Sequence, residues 1–371
     1  MRGLFVLITF CLFSLSLSAQ IEYPIFKDTA TFQAEDSGKL SLQIDNFNYL
    51  RNYEYFGDIP LGYTLIGYQF MPQLKYQLNK YFQLKGGIFL RREFGHKGFY
   101  QFAPVLTAKY QKKGFSLLIG TLEGALNHRF IEPIYDVENV ITHRLEQGVQ
   151  VLLNKKHLWL DWYVDWKKAI EQNSPYREEL TLAASSRVKL INTSKLAVEL
   201  PLQFMMAHKG GQIDASGLPL ESLINSAVGA SVTVPTNGPF LKAVRTEHYM
   251  AFYRDISGAK KQLYANGKGW YSSLLFKTKW VDIDARYWKG NQFYGPNGGA
   301  LFSSISQKIA GYGEENRELL FLSLIYDRQL FPNLNVDVRF EPYYDVRNKL
   351  TEYSYSLFLR FNKDFFLKRI K

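Results

Sequence analysis

Between residues 66 and 78 the chain alternates, with Ile66, Tyr68, Phe70, Pro72, Leu74, Tyr76 and Leu78 on one side and Gly67, Gln69, Met71, Gln73, Lys75 and Gln77 on the other. A repeat of two residues belongs to a strand with one apolar and one polar face, not to a helix. After Asn79 and Lys80 the alternation resumes, with Phe82, Leu84, Gly86, Ile88 and Leu90 opposed to Gln83, Lys85 and Arg91, so the two runs read as a hairpin. The pattern returns at 100–110, 145–153, 158–166, 180–190, 196–206, 224–234, 281–287, 320–326, 336–344 and 353–361, and more weakly at 40–44, 115–122, 241–253 and 270–278. The total is about 16 strands, an even number as single-chain bacterial barrels require.

The connections alternate in length. Short ones fall at 79–80, 112–114, 154–156, 191–194 and 331–334, and long ones at 48–63, 123–143, 209–221, 255–267 and 288–316, with brief exceptions at 93–98 and 346–350. Short turns at one end and long loops at the other predict an all-β, up-and-down antiparallel transmembrane β-barrel with both termini in the periplasm. In the last run Tyr353 and Tyr355, then Leu357 and Leu359, then Phe361 give the order of an aromatic girdle, an aliphatic band and a second girdle. The soluble alternative, a sandwich or propeller, would need one core to absorb all these apolar faces. Pro72, Pro104, Pro201 and Pro342 fall inside apparent strands and lack the N–H of an interior ladder, so bulges or strand ends are expected there.

Composition fits this picture. With 25 Tyr and 28 Phe the chain is 16% aromatic, yet after the N-terminus no apolar run is long enough for a membrane helix of roughly 20 residues. Arg2, the apolar run 4–17 and Ala19 before Gln20 have the form of a secretory signal peptide. The expected organisation is a signal at 1–19, a short periplasmic segment at 20–38, a barrel at 39–362 and a basic tail at 363–371. Removing the signal takes away Cys11, so neither a disulfide framework nor a thiol nucleophile remains. The formal charge of +11 becomes +10 without Arg2, and its cations are spread among acids, which points away from nucleic acid and toward a solvated interior. The lysines of the short turns, Lys80, Lys112, Lys113, Lys155 and Lys156, should make the periplasmic rim basic.

Charges opposite the apolar face cannot meet acyl chains, where they cost about 2–4 kcal/mol near the midplane. Lys75, Lys85, Arg91, Lys109, Arg144, Glu146, Asp161, Asp165, Arg187, Asp282, Asp284, Arg286, Asp337, Arg339 and Glu341 are therefore expected to line the lumen. They would bound an aqueous channel or, both signs being present, form a closed lattice of ion pairs. In the loop 123–143, Asn127, His128, Arg129, Glu132, Asp136 and Glu138 could make a constriction by folding inward. The Gly-rich stretch 290–313 reads as turns and not as a phosphate loop. None of the six histidines lies in a diagnostic motif, although His143 with Asp136 or His128 with Glu132 is conceivable in a hydrolase at the rim. No metal-ligand spacing stands out, and the reading assigns no catalytic residue, metal or cofactor, and so no enzyme.

The Ala19-Gln20 junction after the signal, the Tyr- and Phe-rich alternation, the Lys-rich short turns and the long loops resemble porin-like outer-membrane barrels of Bacteroidota. The resemblance implies residence in the outer membrane of a Gram-negative cell, with outer-membrane lipid and the barrel insertion machinery as partners. It implies passive passage of small polar solutes, or an accessory role without conduction. It assigns no individual residue a function and no oligomeric state.

Overall fold

The computed structural model describes residues 24–26 and 33–370, so the expected signal peptide lies outside the described residues. Sixteen antiparallel strands close on themselves. They are β1 (Lys39–Glu54), β2 (Thr64–Gln77), β3 (Phe82–Glu93), β4 (Gln101–Lys112), β5 (Phe115–Thr121), β6 (Gln147–Asn154), β7 (Leu158–Lys168) and β8 (Glu178–Asn192). The second half comprises β9 (Ala197–Gly210), β10 (Glu221–Pro235), β11 (Leu241–Asp255), β12 (Asn266–Thr278), β13 (Asp282–Asn291), β14 (Asn316–Phe331), β15 (Leu334–Asp345) and β16 (Leu350–Arg369). Each strand pairs with its sequence neighbours, and β1 closes the ring on β16 from Lys39↔Arg369 to Glu54↔Tyr353. The closed ladder leaves no edge for the hydrocarbon to meet.

The alternation assigns the faces correctly. Leu74, Leu106 and Leu357 are 51%, 65% and 48% exposed on the outside, whereas Lys75, Lys109 and Arg360 are 6%, 5% and 2% exposed within. Two boundaries differ from expectation. Leu145 precedes β6 and packs inside against Phe89 and Val105 instead of facing lipid. Residues 363–369, expected as a tail, continue β16 and pair with Lys39–Ile44 of β1.

The prolines do not mark bulges. Pro72, Pro201 and Pro342 each face a gap in one ladder, between Phe70↔Leu90 and Gln73↔Gly87, between Leu202↔Val228 and Glu199↔Ser231, and between Phe321↔Tyr343 and Leu324↔Phe340. The register is the same on both sides of each gap, so the missing N–H is absorbed without an extra residue. Pro104 pairs with Ile88, but its other side lies above the short β5, whose pairing with β4 begins only at Thr107↔Gly120.

Three segments enter the lumen. Residues 122–146 leave β5 early and carry Ile131, Ile134 and Tyr135 into a buried cluster with Tyr163, Met205, Tyr249, Trp288 and Leu319. Residues 292–315 bring Phe293 and Phe302 to the same cluster, and full burial of such a side chain contributes about 1.5–3 kcal/mol. The two segments are tied together, since Asp136 N–H donates to the Asn297 carbonyl (2.8 Å) and Gly299 N–H to that of Glu132 (2.9 Å). A Cβ at Gly295 or Gly298 would run into the Pro133 carbonyl oxygen, so glycine is needed for this approach. Toward the short-turn end, Ile25 and Phe26 pack on Phe47, Tyr49 and Phe358, and Arg360 Nη1 donates to the Ile25 carbonyl at 2.9 Å.

Candidate functional site

The predicted lumen charges do face inward, and they are largely spent on one another. Arg144 Nη2 meets Asp45 at 2.9 Å, Arg187 meets Glu199 at 3.1 Å and Glu247 at 2.9 Å, and Arg339 grips Asp337 with Nε (2.8 Å) and Nη2 (3.0 Å). Lys109 pairs with Glu123 at 2.6 Å, Lys75 with Asp364, Arg91 with Glu93, and Asp282 with Lys277 at 3.5 Å. Arg286 contacts Glu132, Asp284 and Glu341, and Glu341 also takes Arg51 at 3.1 Å. Lys85 borders a small pocket with Lys109 and Arg144. A cavity of about 350 Å³ remains beneath the inserted loop toward the short-turn end, walled by Arg187, Glu199, Glu247, Arg286 and Glu341 among others.

Of the loop residues expected at a constriction, His128 is the most deeply placed. Its ring stacks on Tyr163 with centroids 3.9 Å apart, Nε2 lies 2.6 Å from Glu146 and Nδ1 lies 2.8 Å from Asp161. Burial alone would lower its pKa, but the two carboxylates outweigh that and hold it up to about 10. His128 is thus a buried cation that pins the loop, not a base with a free lone pair. The conceivable pairs of His128 with Glu132 and His143 with Asp136 do not form: Glu132 goes to Arg286, and His143 Nε2 meets Asp165 at 2.8 Å. Asp136 accepts from Glu138 N–H at 2.9 Å, and Glu138 accepts from the Tyr63 hydroxyl at 2.6 Å. Arg129 stacks over Trp159 and its carbonyl accepts from Gln203, while Asn127 Nδ2 donates to the Gly124 carbonyl. The loop folds into the lumen as a packed plug.

The outer face holds a different chemistry. His208 and Ser222 are register partners across the β9–β10 hairpin, on the outward side and within the last few residues before the long loop. Ser222 Oγ lies 2.8 Å from His208 Nδ1. His208 Nε2 lies beside Gly210, where the Leu220 side chain occupies the place a Cβ would take. Gly210 is the register partner of Glu178, whose carboxylate accepts from Trp166 Nε1 at 3.0 Å. A second outward pair, Ser272 Oγ and His248 Nδ1 at 3.0 Å, stands mid-strand, with Thr246 Oγ1 3.0 Å from the other ring nitrogen. A serine within hydrogen-bond reach of an imidazole is the arrangement of an activated nucleophile. These pairs join residues from two strands, so no local sequence motif announces them.

Fold and outer face together define an integral outer-membrane β-barrel with Ser–His pairs turned to the lipid. The chain belongs to the lipid A 3'-O-deacylase-type family, whose model matches residues 32–370. This corrects the expectation of a barrel without enzymatic activity, because the family is named for an enzyme. The barrel part of the expected resemblance stands, and the matching family is not one of porins. The fold is similar to the outer membrane protein OprD from Pseudomonas aeruginosa (TM-score 0.51, 11% identity, covering 94% of this chain and 98% of that one). It is also similar to OmpT, an outer membrane protein of Vibrio cholerae (TM-score 0.52, 8% identity, 88% and 100%). At such identities the likeness concerns the fold alone. No curated protein matches the chain.

Proposed function

We propose that this protein is an outer-membrane acyl-ester hydrolase that removes an ester-linked acyl chain from a lipid of the outer leaflet, lipid A being the substrate its family name indicates. The carrying observation is the Ser222–His208 pair, 2.8 Å apart on the lipid-facing side near the long-loop end. That end faces outward if the short turns are periplasmic, as in barrels generally. Acyl esters lie at the interface between headgroup and hydrocarbon, the depth at which this pair stands.

In this reading Ser222 Oγ attacks the ester carbonyl carbon while His208 Nδ1 takes its proton. His208 then returns the proton to the departing sugar oxygen, leaving an acyl-serine that water, deprotonated by the same imidazole, hydrolyses. The space left by the missing side chain at Gly210, beside the far nitrogen of His208, is taken by Leu220, and Glu178, on the next strand, is engaged by Trp166 Nε1, so the pair acts in this reading without a third carboxylate. Solute passage is less well supported, since a channel would have to carry its cargo past the inserted segments 122–146 and 292–315.

The test is mass spectrometry of lipid A after incubation with the refolded protein. Wild type should yield a species lighter by one acyl chain together with free fatty acid, and Ser222→Ala and His208→Asn should yield neither while keeping heat-modifiable mobility. Loss of the chain with either variant would overturn the assignment. Single-channel recording addresses passage, because stable conductance by wild type would favour a channel.

A further inference from the structure

The cations of the lumen and those of the outer face are treated differently. Inside, Arg51, Arg144, Arg187, Arg286, Arg317 and Arg360 each contact a carboxylate. Outside, near the long-loop end, Arg254, Lys268 and Lys289 stand on the consecutive strands β11, β12 and β13, all exposed. Among the described residues neither Arg254 nor Lys268 has an acidic partner, and Lys289 has only Glu318, at 3.8 Å.

The register makes them one strip. Arg254 is opposite Asn266, Phe252 is opposite Lys268, Lys268 is opposite Asn291, and Trp270 is opposite Lys289. Each cation is thus a diagonal neighbour of the next, at the roughly 7–8 Å over which long side chains share a ligand. Trp270, exposed and level with Lys289, lies one step deeper than Lys268 and marks the interface there. The strip also adjoins the Ser–His pair, for Ile224 is the register partner of Arg254, and Ile256 N–H donates to the Ser222 carbonyl at 2.9 Å.

Exposed cations at headgroup depth, short of protein carboxylates, need counter-charge from the lipid. We propose that Arg254, Lys268 and Lys289 form a binding site for the phosphate of a phosphorylated membrane lipid, set laterally from Ser222 so that the headgroup is held while an acyl ester reaches the hydroxyl. The geometry favours a lipid over a free anion, because the strip is open to the bilayer side and the exposed Phe252 and Trp270, level with Lys268 and Lys289, set apolar surface among the charges. The proposal rests on the hydrolase reading for its purpose, but not for its test.

The experiment measures binding by native mass spectrometry of the full-length barrel in mixed micelles containing dioleoyl phosphatidate or dioleoyl phosphatidylcholine. Wild type should retain phosphatidate in preference to phosphatidylcholine. A basic residue at an anionic lipid surface counts for about 1 kcal/mol, roughly fivefold in affinity, so the triple Gln variant should bind phosphatidate on the order of a hundredfold more weakly. Lys268→Gln alone should lose a part of this, and the triple variant Arg254→Lys, Lys268→Arg, Lys289→Arg should bind as wild type does. Undiminished binding by the Gln variants, equal retention of the two lipids, or displacement of phosphatidate by millimolar inorganic phosphate would each overturn the proposal. Binding lost in the Gln variant while Ser222→Ala still deacylates would leave this site standing and remove Ser222 as the nucleophile. Deacylation lost in Ser222→Ala while the Gln variant still binds would do the reverse.

Discussion

Gly298 packs against Pro133 so closely that a Cβ would enter the carbonyl oxygen, and through this contact the two loops that fill the lumen become one body. Gly299, the next residue, is more forgiving, for its Cβ would meet only the side chains of Phe302, at 3.2 Å, and Glu132, at 3.5 Å. Gly298→Ala should therefore destabilise the barrel by about 1–3 kcal/mol, in the range of an overpacked core, and Gly299→Ala by clearly less. Urea unfolding followed by heat-modifiable mobility reads the difference. Equal effects would mean that the loops are not held by this contact.

The second prediction concerns pH. His128, on the plug and not on a strand, is held up to about 10 from an ordinary 6.5 by Glu146 and Asp161 against the opposing effect of burial. A raised pKa contributes stability that is complete below about pH 6.5 and lost as pH rises through about 10. Asp136, in the same loop, is pushed up to about 7 by burial and by Glu138, which favours its neutral form and weakens the plug as pH climbs from about 4 to about 7. These two effects share a sign, whereas Glu146, held low by His128 against the opposing effect of burial, loses its contribution as pH falls below the ordinary carboxylate range, so the plug should be tightest in mild acid. His128→Gln leaves two buried carboxylates without their cation and should cost about 3–5 kcal/mol at neutral pH. That cost should shrink toward pH 10, where wild type loses the same proton. A difference independent of pH would show that His128 is not charged in the folded protein.

Strand count, facing and topology were legible because lipid imposes one rule on every strand, apolar outward, and a period of two survives single exceptions. β1 was the hardest to read. Its outward side includes Asn46 and Asn48, whereas Phe47 and Tyr49 turn inward to hold Ile25 and Phe26, so the usual polarity is inverted where the N-terminal segment docks. The inserted loop could be seen to be rich in charge, but its anchors, Ile131, Ile134 and Tyr135, are meaningful only beside Met205 and Trp288, far away in sequence. The Ser–His pairs were hidden for a related reason. Ser222 and His208 are separated by a ten-residue loop and meet only through the hairpin register, so a search for short motifs passes over them. A histidine at an outward position of the alternation was the available signal, since lipid-facing ionisable residues are costly and functional by default.

A third prediction tests the base of the lumen. Asp45 on β1 accepts from Arg144 Nη2 (2.9 Å) and from Arg360 Nε (2.9 Å) and Nη2 (2.6 Å), binding the plug and the closing strand to one carboxylate. Asp45→Ala leaves two buried guanidinium groups facing each other and should cost about 3–5 kcal/mol, as loss of one partner of a buried ion pair does. The half-buried Lys39–Asp36 pair at the rim, 3.0 Å apart and open to solvent on one side, should count for about 1 kcal/mol or less when Asp36 is replaced by Ala. Chemical denaturation in detergent, with both variants at one ionic strength, separates the cases. Similar midpoints would deny that β1, β16 and the plug are coupled through Asp45.

The last prediction decides which outward pair acts on lipid. His248 is the eighth residue of the fifteen in β11, and Ser272 the seventh of the thirteen in β12, so Thr246, His248 and Ser272 lie at mid-depth where acyl chains carry no ester. Mutual hydrogen bonds, and the stacking of His248 on Trp270 at 6.0 Å, reduce the cost of placing them there without removing it. His248→Leu should therefore stabilise the folded barrel, by about 1 kcal/mol given the smaller penalty of a neutral side chain than of a charge at the midplane, and deacylation should continue. His208→Leu stands near the headgroups, where polar residues cost little, and should change stability hardly at all while abolishing deacylation. Unfolding midpoints and acyl-chain release measured on the same preparations give both readouts. If His248→Leu folds normally and stops deacylation while His208→Leu does not, the reaction belongs to Ser272, and the substrate must be drawn down the barrel wall to reach it.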